Sequence, residues 1–265
     1  NKNILDSINY ARHIQEAILP TESYFKSLLP DSFVIYKPKD IVSGDFYFAG
    51  SPVTGEGHQL VVVSVGDCTG HGVPGAFLTL LGKTFLQLGL EESSVNSCAE
   101  ALDYLNKGLS GMLNKAAKGD LAVRDGMDIS LCSIHSATLM LEFAAAKNPV
   151  CIVRKNELFE LKADKHAIGE LVDASNQQLR YSNQYFQLEK GDCIYLFTDG
   201  YADQFGGPTA ASGGKKFKYK PLTNLFISLY DKPMPEQKKL LTTAFENWKG
   251  SLEQIDDICI VGIRV

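Results

Sequence analysis

Four aspartate sites stand at the ends of apolar runs. Asp67 closes the strand-like LVVVSVG and opens the turn DCTGHGVPG (60–75). Asp45 lies in IVSGDFYF (41–48), Asp199 ends CIYLFTDG (193–200), and the pair Asp256-Asp257 precedes ICIVGIRV (258–265). If these distant carboxylates converge, they repel one another, and some must take up protons unless a cation offsets the charge. Two outcomes are natural: a proton-sharing acid pair, or a site for divalent cations. Rigid strand tips and glycine turns favour cations. Oxygen donors without His or Cys select hard ions, Mg²⁺ or Mn²⁺ over zinc or copper. Backbone carbonyls of the 67–70 turn could complete the shell. Two such ions would acidify a bridging water and neutralise a phosphoryl group in an in-line displacement. That chemistry needs no protein nucleophile, and the chain has neither a Cys-His pair nor a GxSxG elbow. The residues alone lead to a two-metal hydrolase of phosphate esters.

The elements that must position these groups are legible from periodicity. Leu60–Val65 is apolar and rich in β-branched residues, as in a strand buried on both faces. Gly70 and Gly72 permit a tight turn, and Pro74 suits the first turn of a helix. That helix spans 73–90, with an apolar face expected at Phe77, Leu80, Leu81, Phe85 and Leu88; a second spans 96–117. Strands fill 32–65, with a glycine-rich hairpin near 50–58, and recur over 127–161, 184–197 and 258–264. Polar stretches at 118–126 and 173–183 connect them. A glycine-rich loop, 203–214, leads into Lys215, Lys216, Lys218 and Lys220, interleaved with Phe217 and Tyr219; helices follow at 220–230 and 235–249. Runs of strands broken by helix pairs predict an α+β fold, two sheets packed face to face with helices outside. Residues 1–19 suit a helix ended by Pro20. Ile4, Ile8, Ala11, Gln15 and Ile18 form either a coiled-coil seam, from a dimeric signalling helix, or one face of an amphipathic helix lying on its own domain.

Composition excludes several classes. The chain has 265 residues, is 45% hydrophobic and carries a formal net charge of −5, which gives no overall pull toward nucleic acid. Its six Cys and five His show no CxxC, HxH or HExxH spacing, so neither a zinc site nor a disulfide framework is expected. No apolar run long enough to span a bilayer and no signal peptide are apparent. The start at Asn1 suggests a piece of a longer protein, and a reducing, cytoplasmic setting is expected.

The segments SGDFYF (43–48), GDCTGHGVPGAF (66–77), FTDGYADQFGG (197–207) and DDICIVGI (256–263) resemble the SpoIIE-type branch of the PPM metal-dependent protein phosphatases, bacterial serine/threonine phosphatases of sporulation and stress response. The resemblance covers about 20–265 and leaves 1–19 as a linker helix. It implies a four-layer α-β-β-α sandwich with two mainly antiparallel sheets. It implies that Asp67 bridges two Mn²⁺ or Mg²⁺ ions, that Cys68 supplies a main-chain carbonyl, and that Asp199 and Asp256 bind the second ion. Asp45 would lie beside the cluster and serve the metal as a direct ligand or through water, Asp257 is the alternative to Asp256, and Asp128 is a candidate accessory ligand. Many relatives carry Glu near the position of Asp203, a departure that leaves that acidic residue's role open. With no Arg near the motifs, Lys37 and Lys39 are the candidates for holding phosphate, against a reading as solvated strand-end lysines. His71 is either a general acid for the leaving oxygen or a conformational residue of its turn. Segment 203–220 is a surface loop or a docking flap. The substrate implied is a phosphorylated regulatory protein of the anti-sigma-antagonist (STAS) type, with control from an upstream sensor region and no nucleic acid or membrane insertion. The rival readings are a catalytically silent partner-binding module of the same fold and another two-metal phosphohydrolase.

Overall fold

The computed structural model describes residues 2–51, 60–116, 125–172, 177–208 and 213–265. The hairpin expected near 50–58 lies almost wholly outside them, as do most of the polar connection 118–126 and parts of 173–183 and 203–214. The elements run α1 (Lys2–Ile18), α2 (Glu22–Leu28), β1 (Ser32–Lys37), β2 (Asp45–Gly50), β3 (Leu60–Cys68), α3 (Gly72–Glu91) and α4 (Cys98–Ala116). Then come β4 (Met127–His135), β5 (Met140–Ala146), β6 (Val150–Arg154), β7 (Glu157–Leu161), β8 (Gln184–Gln187) and β9 (Cys193–Phe197). The chain ends with α5 (Gly200–Asp203), β10 (Phe205–Gly206), β11 (Lys215–Lys216), α6 (Tyr219–Ser228), α7 (Met234–Lys249) and β12 (Ile258–Arg264).

One sheet has the order β1-β12-β9-β6-β7 and the other β2-β3-β4-β5-β8, all antiparallel. Side chains alternate across a strand, and on β3 this splits the valines. Val61, Val63 and Val65 face the second sheet, where they meet Ile152, Leu196 and Val261. Val62 faces outward, into a core shared with Leu102, Leu105 and Leu109 of α4. The other sheet buries Phe33, Tyr195 and Phe197 against Leu222 and Phe226 of α6 and Leu241 and Phe245 of α7. The central strands β3, β4, β9 and β12 are dry on both faces, which is why they read as continuous apolar runs, whereas edge strands β7 and β8 carry exposed residues. The result is the α+β sandwich, helices outside and sheets within.

Three elements depart from expectation. Helix α2 was not legible, being only seven residues; Thr21 caps it by accepting from Tyr24 N–H at 3.2 Å. Part of the expected loop 203–214 is the short pairing of β10 with β11. Helix α3 buries only part of the expected face: Leu81 and Phe85 pack against the core, Phe77, Leu80 and Leu88 are exposed, and Gly75, Leu78, Thr79, Gly82, Leu86 and Gly89 are buried instead. Its glycines let the helix lie closer to the sheet than leucines would allow. A Cβ on Gly75 would stand 2.5 Å from the Gly70 carbonyl and 2.8 Å from Gly44 Cα. At 20 residues and a mean hydropathy of 1.3, α3 also has the length and composition to cross a bilayer, contrary to the sequence reading; here it packs on the sheet.

Candidate metal centre

The antiparallel register builds one half of the site. Asp45 of β2 lies directly opposite Asp67 of β3, and Asp67 lies opposite Asp128 of β4. Three like charges therefore stand side by side across three neighbouring strands, an arrangement a sheet does not favour. Asp67 continues the parity of Val61, Val63 and Val65, so its carboxyl emerges at the end of the gap between the sheets. The other sheet supplies the second half. Asp199 follows β9 and Asp256 precedes β12, which are neighbours in that sheet. Asp67, Asp128, Asp199 and Asp256 line one cleft of about 790 Å³.

Burial and mutual repulsion show in the acidities. Burial, then the Asp199, Asp256 and Asp128 carboxylates, push Asp67 up to about 9. Burial, then Asp256 and Asp203, push Asp199 up to about 6. Asp67 and Asp199 are within hydrogen-bonding reach of each other. Asp45 is 2% exposed, and burial followed by the Asp67 charge raises it well above the ordinary carboxylate range; a hydrogen bond from Thr198 opposes this. Burial raises Asp128, and the nearby Lys147 ammonium lowers it.

Neighbouring residues hold these groups in place. Thr198 Oγ1 donates to Asp45 Oδ2 at 2.6 Å and accepts from Cys259 N at 2.9 Å, tying the two sheets together at the site. Asp257 accepts from Lys39 N and Gly44 N, each at 2.7 Å. Its carboxylate is committed to backbone donors, whereas Asp256 lines the cleft; of the two neighbours, Asp256 is the one placed to ligate. Cys68 keeps its thiol in the core, 3.8 Å from Thr79 Oγ1, so only its main chain can serve the cleft. Gly70 and Gly72 take φ of +81° and +67°, the left-handed region that glycine enters without strain. His71 lies between them at the rim of the cleft, its Nδ1 2.6 Å from Asp40 Oδ2.

The two lysines expected to hold phosphate have other contacts. Lys37 pairs with Glu246 and lies over the Phe245 ring, 5.1 Å from its centroid. Lys39 contributes its backbone N–H to Asp257. Neither lines the cleft. Residues that sequence reasoning missed include Thr198, Lys147 and Glu170. Gln15 of α1 was placed on the helix seam, but its connection to the site was not foreseen. It is the buried residue of α1: its Nε2 donates to Ser43 O at 2.6 Å, and its Oε1 accepts from Ser43 N at 2.9 Å. Thr79 Oγ1 of α3 donates to Gly44 O at 2.8 Å. Both helices thus grip the segment that leads into Asp45. The lower half of α1 lies beside α3, where Ile14, Ile18, Val73 and Phe77 line an apolar cleft of about 200 Å³, whereas Ile4 and Leu5 are exposed.

The donor set suits hard divalent cations. It is made of carboxylates with main-chain carbonyls beside them, and burial followed by mutual repulsion raises the pKa values of Asp45, Asp67 and Asp199, a cost that a cation would offset. Among the described residues no three acidic, histidine or cysteine side chains stand close enough to enclose one ion by themselves. Carbonyls of the 67–70 turn and water would complete the shell, as Mg²⁺ in particular prefers.

Comparisons with known proteins bear on the fold and the family. The SiaA-PP2C domain of Pseudomonas aeruginosa superposes with a TM-score of 0.85 at 31% identity, covering 100% of this chain and 98% of that one. The PP2C phosphatase domain of the cell fate determinant SpoIIE from Bacillus subtilis, solved with a fragment of its regulatory domain, gives 0.65 at 19% identity over 88% of this chain and 61% of that one. RsbX, solved in complex with magnesium, gives 0.55 at 14% over 88% and 94%. The latter two show a shared fold. A search of curated proteins finds no match. Residues 57–265 match the family model described as Stage II sporulation protein E. With most of its length so matched, and with the sandwich and carboxylate cluster in place, this chain belongs to the SpoIIE family and is a PP2C-type phosphatase domain.

Proposed function

We propose that this domain is a Mn²⁺- or Mg²⁺-dependent phosphatase that removes phosphate from serine or threonine of a regulatory protein of the anti-sigma-antagonist (STAS) type. The observation that carries this reading is the row Asp45-Asp67-Asp128 on one sheet facing Asp199 and Asp256 on the other. Asp67, central in that row, would hold two ions together with Cys68 O, Asp199 and Asp256. Asp45, bonded to Thr198, would hold the cluster from beneath. Ions bound there supply acidification of a water and neutralisation of phosphoryl charge. His71, bonded to Asp40 at the rim, would give a proton to the leaving serine or threonine oxygen. Family membership supports the phosphatase chemistry, and the substrate class rests on the resemblance of the motifs. By analogy with the SpoIIE chain solved with part of a regulatory domain, α1 would join this domain to an upstream sensor and could pair with a second copy. Its Gln15 clamp on Ser43 gives such a helix a route to the site.

The test is hydrolysis of a phosphoserine protein by the purified chain. Activity should require added Mn²⁺ or Mg²⁺, disappear with EDTA, and fall at least ~10²-fold in Asp67→Asn, as for loss of metal-based catalysis. Undiminished turnover in Asp67→Asn would reject the reading.

A further inference from the structure

A cleft lined by carboxylates repels the phosphate ester it is proposed to bind, so a protein cation within it has a use beyond pairing. Lys147 is, among the described residues, the one lysine or arginine that lines the cleft holding Asp67, Asp199 and Asp256. Its position follows from topology. Strand β5 belongs to one sheet and β6 to the other, and the crossover between them is Lys147-Asn148-Pro149. The chain therefore passes the end of the inter-sheet gap at Lys147. The turn is held by Lys147 N donating to Asp164 O at 2.8 Å and Asn148 N donating to Ala146 O at 2.7 Å. Lys147 takes φ of +58° there, a conformation lysine seldom adopts.

The ammonium is loosely engaged. It stands 3.9 Å from Asp128 Oδ1 and 3.8 Å from Glu170 Oε1, with the side chain 43% exposed. Charge-assisted pairs are closer than this. Elsewhere on the chain Arg154 meets Asp192 at 2.6 Å and Lys216 meets Asp203 at 2.8 Å. A cation loosely held between two carboxylates can leave them for a stronger acceptor. Lysine is a common phosphate ligand, acting as a point charge on a flexible stem.

We propose that Lys147 is the phosphate-anchoring residue of the site: its ammonium binds a non-bridging oxygen of the substrate's phosphate monoester, in a cleft that neither Lys37 nor Lys39 lines. This rests on the phosphatase reading and names a residue that determines substrate affinity. Wild type, Lys147→Met and Lys147→Arg are compared as metal-loaded protein. The readouts are KM and kcat for p-nitrophenyl phosphate, the inhibition constant of inorganic phosphate, and Mn²⁺ affinity by calorimetry. Lys147→Met, which keeps the stem and removes the charge, should raise both KM and the phosphate constant ~10-fold, as for loss of one charge-assisted hydrogen bond. Its kcat should stay within about threefold and its Mn²⁺ affinity should not move, and Lys147→Arg should recover most of the loss. Unchanged KM and phosphate constant in Lys147→Met would overturn the proposal. So would a loss that tracks weakened Mn²⁺ binding, which would make Lys147 a neutraliser of Asp128. If the wild type turns nothing over, phosphate binding to the Mn²⁺-loaded protein decides. Binding weakened by Lys147→Met keeps the anchor while the phosphatase reading fails, and equal binding removes the anchor.

Discussion

Asp67 concentrates the electrostatic conflict of the site in one carboxyl. Its pKa is raised to about 9, against roughly 4 for an exposed aspartate, and that of Asp199 to about 6. In metal-free protein the folded chain therefore holds protons that the unfolded chain releases. For a carboxyl raised in this way, the stabilising contribution is complete below the unfolded value and is lost as pH climbs through the folded one. EDTA-treated protein should accordingly melt at a lower temperature at pH 8.5 than at pH 5.5, and Mn²⁺ should reverse the loss at pH 8.5. Thermal scans at the two pH values, with and without Mn²⁺, check this; a metal-free midpoint that rises with pH contradicts it. The choice between Asp256 and Asp257 also belongs to this scale. Side-chain alternation told that only one could face the site, but which one depends on the two backbone donors, Lys39 N and Gly44 N, that claim Asp257. Those donors are more than 200 positions away in sequence.

Helix α3 shows what an element can hide from a sequence reading. Large apolar residues mark a buried face by their hydrophobicity; of the five taken for one, Leu81 and Phe85 pack on the core while Phe77, Leu80 and Leu88 are exposed. Glycine carries no such signal, and here it marks the face that approaches most closely. The central strands were legible because both their faces are dry; seven-residue α2 was not, because its apolar pattern is too short. Gly75 turns this into a measurable sign. In an exposed helix Gly→Ala stabilises by about 1 kcal/mol. Gly75→Ala should instead destabilise by about 1–3 kcal/mol, the range for overpacking, because the new methyl meets the backbone of Gly70 and Gly44. It should lower phosphatase activity as well, since both glycines border aspartates or turns of the site. Urea unfolding and turnover of the same variant decide the matter. A stabilised, fully active Gly75→Ala would mean that α3 does not press on the Asp45 and Asp67 loops.

At the scale of the molecule, the site exists because two sheets end at one place. Asp45, Asp67 and Asp128 come from one sheet and Asp199 and Asp256 from the other, with Thr198 bonded across the gap. The α+β sandwich was legible from runs of strands broken by helix pairs, and the recurrence of carboxylates at strand ends singled out the aspartates that the structure brings to one cleft. The role of Lys147 was not, because a crossover between sheets leaves no periodic trace. Calorimetric titration of Mn²⁺ into wild type, Asp67→Asn and Asp199→Asn tests the central claim most directly, since each variant removes one sheet's share. The wild type should bind Mn²⁺, and both variants should lose at least ~10-fold in affinity, about 1.4 kcal/mol. Wild-type affinity in either variant would contradict a cation site shared between the sheets.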